Sequence, residues 1–93
     1  MELTLNSCPA PAEHVRSRHL EQEAVVVLPD KGEVKVLNEV GARIWALADG
    51  SRTVRDIIAA LCAEFEAPPA VVEADALKFL AELQQKGLIT VRA

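Results

Sequence analysis

Two histidines (His14 and His19) and two cysteines (Cys8 and Cys62) are the residues from which a metal site or a nucleophile would have to be built. The histidines lie in a weakly patterned stretch, and no C-x-x-C or H-x-x-x-H spacing occurs, so a tetrahedral zinc site has no local support. Cys62 falls on a core position of an expected helix, where a thiol is inert; a reactive cysteine needs an exposed, electropositive setting. Ser7 and Ser51 have no general base near them, and no glycine-rich phosphate loop follows a strand. Glu64, Glu66, Glu73 and Asp75 pair only along the sequence; on helices and a Pro-rich turn they read as solvated charges. These residues argue against an enzyme acting alone and call for no metal and no cofactor. What they leave is a scaffold that holds something.

Composition narrows what can be held. At 93 residues the chain is one domain with a limited core, and 51% of its residues are apolar, enough to fold. No apolar run approaches the ~18 residues of a membrane span. The N-terminus lacks the basic patch and hydrophobic block of a signal peptide. Two cysteines make no disulfide framework, so a reducing cytoplasm is the expected setting. The net charge of −4 counts against nucleic acid, whose phosphates demand clustered Lys and Arg. The aromatics are Trp45, Phe65 and Phe79, too few for a base-stacking platform.

The pattern along the chain predicts strand, strand, strand, helix, helix, helix: an α+β fold of winged helix-turn-helix type, with a three-stranded antiparallel sheet. Residues 1–13, with Pro9 and Pro11, read as a flexible or loosely docked N-terminal arm, and 14–93 as the domain proper. The first strand is expected over Val15–Leu20. Glu23–Leu28, with Val25, Val26 and Val27, reads as a second strand covered on both faces. Pro29-Asp30-Lys31-Gly32 has turn chemistry. In the third strand, Glu33–Leu37, Val34 and Val36 make an apolar face and Glu33 and Lys35 a wet one.

Asn38 is a suitable N-cap for the first helix, whose buried stripe is Val40, Ile44, Leu47 and Ala48 with Trp45 beside it. Asp49-Gly50 ends it. Thr53 and Asp56 form a capping-box start for the second helix, with the stripe Val54, Ile57, Ile58, Leu61, Cys62 and Phe65. Pro68 and Pro69 suit the first turn of a third helix that runs to about Lys86, with Gly87 after it. Leu88–Val91 is a short extended tail. On the third helix Asp75, Lys78, Glu82, Gln85 and Lys86 gather on the solvent side, opposite a core face of Val72, Ala76, Phe79, Leu80 and Leu83. Ala74, Leu77 and Ala81 carry the apolar arc further, interrupted by Glu73 and Gln84. The small alanines beside Leu77 would leave a shallow apolar groove there; alternatively Leu77 packs under the N-terminal arm and the alanines express helix propensity.

These segments in this order carry a family likeness. VVVLPDKGEVKVLNEVGARIWALADG, then TVRDIIAAL, then VVEADALKFLAELQQKGLI resembles the coenzyme PQQ synthesis protein D (PqqD-like) family. The strongest elements are Leu37-Asn38 leading into Gly41-Ala42-Arg43-Ile44-Trp45, then Asp49-Gly50, Thr53 with Ile57, Glu73-Ala74-Asp75 with Phe79-Leu80, and Lys86-Gly87-Leu88. The likeness implies a recognition element for ribosomally made precursor peptides. Such a domain binds the leader as an added strand along the third strand and third helix, and presents it to a modifying enzyme, commonly a radical SAM protein. On that reading the peptide-binding residues are Val34, Lys35, Val36 and Leu37 on the strand and Glu73, Ala74, Leu77, Ala81 and Gln84 on the helix. Many relatives carry an aromatic residue just before the Leu-Asn step, where Val34, Lys35 and Val36 stand here. This departure leaves the pathway open between PQQ, lasso-peptide and other modified-peptide biosynthesis.

The alternative of a different class is a winged-helix DNA-binding regulator. Charge opposes it, because the third helix sets Glu73, Asp75 and Glu82 against Lys78 and Lys86. A subunit that only docks on an enzyme is compatible with the same residues. An open third-strand edge also invites pairing with a second copy, so a homodimer is a further expectation.

Overall fold

The computed structural model describes residues 2–28 and 31–92. The elements are β1 (Cys8–Pro11), β2 (Arg16–Leu20), β3 (Glu23–Leu28), β4 (Glu33–Leu37), α1 (Glu39–Leu47), α2 (Val54–Phe65), α3 (Pro69–Gln85) and β5 (Ile89–Arg92). β2, β3 and β4 form an antiparallel sheet in that order, with β3 central. The expected α+β architecture, three antiparallel strands followed by three helices, is the one observed.

The helices pack on one face of this sheet. Ala24, Val26 and Leu28 alternate along β3 toward the core and meet Ile44 and Trp45 of α1, Ile57 and Leu61 of α2, and Leu80 and Leu83 of α3. Each valine, leucine or isoleucine among them contributes about 1.5–3 kcal/mol when fully buried. The opposite face of β3, Val25 and Val27, is only half-buried. The expectation that β3 is covered on both faces is therefore corrected: the helices all lie to one side, and the outer valines are sheltered only by neighbouring strands. The register pairs Val25 with Val36 and Val27 with Val34, so those residues share this outer face. Val34 is 63% exposed and Val36 64%. The alternation expected in β4 is present, but its apolar side faces solvent and its Lys35 side faces the helices.

Caps fix the helices as the sequence implies. Asn38 Oδ1 accepts the Gly41 N–H at 2.9 Å. Thr53 and Asp56 form a complete capping box, with Asp56 N–H to Thr53 Oγ1 at 3.1 Å and Thr53 N–H to Asp56 Oδ2 at 3.2 Å. Pro69 opens α3, and Gly87 follows it at φ 77°, in the left-handed region that glycine tolerates. Of the expected turn, Pro29 and Asp30 lie outside the described residues; Gly32 has φ 64°. The stripe of α1 needs one correction: Ile44, Leu47 and Ala48 are buried, but Val40 is 42% exposed. It sits in the first turn, where the chain has just left the edge strand and looks across a gap toward α3. Cys62 and Phe65, at the end of the α2 stripe, are half-buried rather than fully in the core.

The N-terminal segment departs most from its reading as an arm. β1 pairs antiparallel with β5, Cys8 opposite Arg92 and Pro11 opposite Ile89. Its backbone also caps α2: the Val54 N–H donates to the Ser7 carbonyl at 2.9 Å and the Arg55 N–H to the Leu5 carbonyl at 3.0 Å. These are two of the amides a helix N-terminus leaves without intrahelical partners. The Gly50 N–H donates to the Pro9 carbonyl at 2.9 Å. Ser7, Pro9, Ala10 and Ala12 are buried. Residues 4–12 therefore belong to the domain, and the boundary after residue 13 has no structural counterpart.

Candidate functional site

β4 is an edge strand, hydrogen-bonded to β3 on one side only. In an antiparallel ladder alternate residues turn their N–H and C=O groups outward, so the free side of β4 offers unpaired donors and acceptors. The other edge strand of this sheet, β2, has an exposed residue at every position. A hollow bordered by Glu21, Glu39, Arg43 and Glu64 reaches β2 at His19; what distinguishes β4 is the apolar lining of the hollows beside it.

Three hollows run along that side. The middle one lies between the end of β4, the first turn of α1 and the centre of α3, lined by Val36, Leu37, Val40, Gly41, Ile44 and Phe79, with Lys35 and Asp75 at its rim. Gly41 forms its floor: a Cβ built there would stand 3.3 Å from Phe79 Cζ and 3.3 Å from Asn38 Oδ1. A second hollow, bounded by Glu33, Val34, Lys35, Lys86 and Leu88, opens at the start of β4. A third, almost wholly apolar, continues past the end of β4 between α1 and the start of α3, with Val40, Ile44, Phe65, Val71 and Val72 in its wall. Val40 and Asp75 border both the middle and the third hollow.

The four strand residues of the expected site lie on the open edge. Val34, Lys35, Val36 and Leu37 line the first two hollows. The helix half does not. Asp75 and Phe79 face β4, and Leu77 and Ala81 lie about 200° around the helix from them. Glu73, Ala74 and Ala81 are exposed away from the groove, and Leu77 is half-buried against the core. Glu73 borders a separate hollow with Leu5, Arg55 and Cys62, on the side of the N-terminal segment. Gln84, half-buried, follows Leu77 on that same flank. The physical reason is that Leu77 turns to the core and the alanines beside it to solvent, whereas the groove beside β4 is made by a phenylalanine at the border of the core. Gly41 carried the available signal: a glycine inside a helix costs stability unless something approaches closely.

Charge perturbations lie outside this groove. The Arg43 guanidinium and the Glu64 carboxylate join α1 to α2 through paired hydrogen bonds at 2.7 and 2.9 Å. The bond to Arg43 holds Glu64 below the usual carboxylate range, and the bond to Glu64 raises Arg43. Asp49 is also lowered, first by the hydroxyl and then by the backbone N–H of Ser51. Among the described residues no group of three or more His, Cys, Asp and Glu side chains is placed to hold a metal ion. No helix there is long and apolar enough to cross a membrane.

The fold and the groove define a small winged-helix domain with one sheet edge left open beside a helix. Residues 23–89 match the model of the family described as coenzyme PQQ synthesis protein D (PqqD), and the chain belongs to that family. It is 35% identical over 89 residues to a PqqA binding protein of Xanthomonas oryzae pv. oryzae (strain KACC10331 / KXO85), covering 94% of this chain and 95% of that one. It is 37% identical over 65 residues to a PqqA binding protein of Gluconobacter oxydans (strain 621H), covering 70% of this chain and 66% of that one. Among solved structures it resembles TbiB1 in complex with the TbiA(beta) leader peptide, with a TM-score of 0.80 and 32% identity over 86% of this chain and 93% of that one. It also resembles the PqqD truncation of Methylobacterium extorquens PqqCD, a stand-alone recognition element for ribosomally synthesised and post-translationally modified peptides. There the TM-score is 0.78 and the identity 30%, over 96% of this chain and 95% of that one.

Proposed function

We propose that this domain binds the leader of a ribosomally synthesised precursor peptide as an additional strand on β4 and presents it to a modifying enzyme. The observation that carries the reading is the open β4 edge flanked by the Phe79 groove, a geometry suited to strand addition with side-chain pockets. The relatives support it: PqqA binding proteins in sequence, and in structure a neighbour in complex with a leader peptide. The domain acts by binding rather than by reaction, and the modifying enzyme is taken to be of the radical SAM type. A cytoplasmic setting suits the two free thiols, Cys8 and Cys62. DNA recognition is not carried forward, because α3 exposes Glu73, Asp75 and Glu82 to any phosphate that approached it.

Strand addition contributes about 0.5–1.5 kcal/mol net per main-chain bond and tolerates many sequences. An apolar side chain seated in a hollow adds about 1.5–3 kcal/mol and discriminates. Ordering a disordered leader opposes both. The expected complex is therefore exchangeable, as presentation requires. Titrating isotope-labelled protein with candidate leader peptides should move the amides of residues 33–37 together with Asp75 and Phe79. Leaders that leave all of these unmoved refute the proposal.

A further inference from the structure

The groove is graded in chemistry along its length, and that gradient specifies a ligand. At the Glu33 end, Lys35 and Lys86 border one hollow with Glu33, two ammonium groups against one carboxylate. Neither lysine has an ion pair among the described residues. Beyond Leu37 the groove becomes apolar: Val40 and Val71, 42% and 53% exposed, flank the third hollow, and Phe65 and Val72 line it. Unpaired apolar side chains of this size at the mouth of a concave site mark a place where an apolar group is received.

We infer that the groove selects an extended peptide bearing a bulky apolar side chain and a carboxylate about four residues apart, the apolar residue first in sequence. The inference rests on the strand-addition reading of β4. The spacing follows from strand geometry, in which same-face side chains recur every second residue at ~3.3 Å per residue. The Lys35–Lys86 hollow lies beside β4, and the Val40–Val71 hollow begins past its Leu37 end, so a carboxylate paired opposite Lys35 has the apolar hollow about four residues before it. The order follows from pairing direction. Both sheets in this fold are antiparallel, and antiparallel pairing is the more stable per residue. A strand antiparallel to β4 begins at the Leu37 end, where the apolar hollow is, and finishes beside Lys86.

The test uses fluorescently labelled synthetic peptides in one serine- and threonine-rich extended host. One carries leucine followed four residues later by glutamate; the others carry the reverse order, leucine with lysine, or serine with glutamate. The leucine-then-glutamate peptide should bind tightest. Replacing its glutamate with lysine should weaken binding about two- to fivefold, the range of an exposed ion pair. Replacing its leucine with serine should weaken it about tenfold or more. Lys86→Glu should reverse the preference between glutamate and lysine peptides, and Val71→Asp should remove the leucine dependence. Both positions are exposed, so both variants keep the fold. Equal binding of all peptides with β4 amides shifted overturns the inference and leaves strand addition standing. The same holds if Lys86→Glu retains the wild-type preference. If no peptide moves the β4 amides, strand addition falls and the inference with it.

Discussion

Gly41→Ala separates the groove from the fold. Gly41 is the third residue of α1, and its N–H is the one capped by Asn38. A methyl group there meets Asn38 Oδ1 and Phe79 Cζ, each at 3.3 Å, with Leu37 Cβ at 3.5 Å. The first two must each retreat by a few tenths of an ångström. For stability, the effects oppose. Alanine favours helix over glycine by about 0.8–1.0 kcal/mol, and loss of an asparagine cap costs about 1 kcal/mol. The net change should stay within ~1 kcal/mol, which moves the melting temperature of a domain this size by no more than about 8 °C.

Binding has no such compensation. The methyl occupies the floor of the middle hollow and turns the Phe79 ring, removing space for one or two carbons of a seated side chain. At about 0.8 kcal/mol per methylene, affinity for a leader should fall about four- to fifteenfold. Thermal melts followed by the fluorescence of buried Trp45, anisotropy titrations, and the ring resonances of Phe79 measure the three consequences separately. A variant that melts within the stated range, shifts the Phe79 ring and still binds at wild-type affinity would refute the role given to this hollow.

The other expected outcomes concern the shell around the groove. Ser7→Ala should cost about 0.5–1.5 kcal/mol by denaturant melts, because buried Ser7 accepts the Thr4 N–H through Oγ at 2.9 Å; an unchanged midpoint would show that this side-chain bond does not steady the N-terminal turn. Leu77→Asp should destabilise by about 1–3 kcal/mol through lost packing, while the folded fraction binds leader normally; weakened binding at full foldedness would return the site to that flank. Glu64 and Asp49 both have lowered folded values, so their contribution is fully present above the usual carboxylate values of 4.5 and 3.8 and is lost as the pH falls through the lowered ones. Glu64→Gln should therefore flatten the fall of melting temperature below pH 4.5, and an unaltered acid limb would remove Arg43–Glu64 from the account. Lys35→Val should increase self-association in sedimentation experiments at concentrations where the parent chain stays monomeric; if the parent already pairs through β4, Lys35 does not guard that edge.

The parts legible in the sequence are those written in side-chain periodicity. The α2 stripe from Val54 to Leu61, the caps at Asn38 and Thr53, the stop at Gly87 and the three-stranded order all follow from local chemistry. The docking of residues 4–12 was not legible because backbone carbonyls do it: Leu5, Ser7 and Pro9 supply acceptors to α2 and to Gly50, and no pattern of side chains encodes a carbonyl. The face of β4 was misread for a related reason. A period of two separates Val34 and Val36 from Lys35, but it does not say which set meets the helices. That is decided by register with β3, where Lys35 stands opposite buried Val26. An apolar surplus at Leu77 is as consistent with cover from the N-terminal segment as with a groove, so the sequence does not say which flank of α3 stands beside β4. Proximity to β4 depends on how α1 holds Phe79, and only the assembled fold carries that.

An open edge is a liability unless something limits what it accepts, and the arithmetic of β4 shows where the limit lies. A strand of five residues can offer only a few outward main-chain bonds, together about 1–4 kcal/mol. Association alone costs an estimated 4 kcal/mol or more in lost freedom. Backbone pairing is therefore too weak to hold any partner by itself, a second copy included. Two β4 strands paired antiparallel about their centres would also set Lys35 opposite its own copy, and like charges directly opposed are destabilising. A partner gains net affinity only by filling the hollows beside the strand, which two β4 strands so paired do poorly and an extended peptide with the right side chains does well. The same weakness that keeps the edge from collecting strands indiscriminately leaves the choice among partners to the apolar hollows at Phe79 and Val71, with Lys86 adding a smaller bias, so selectivity resides in side chains that strand addition alone does not require.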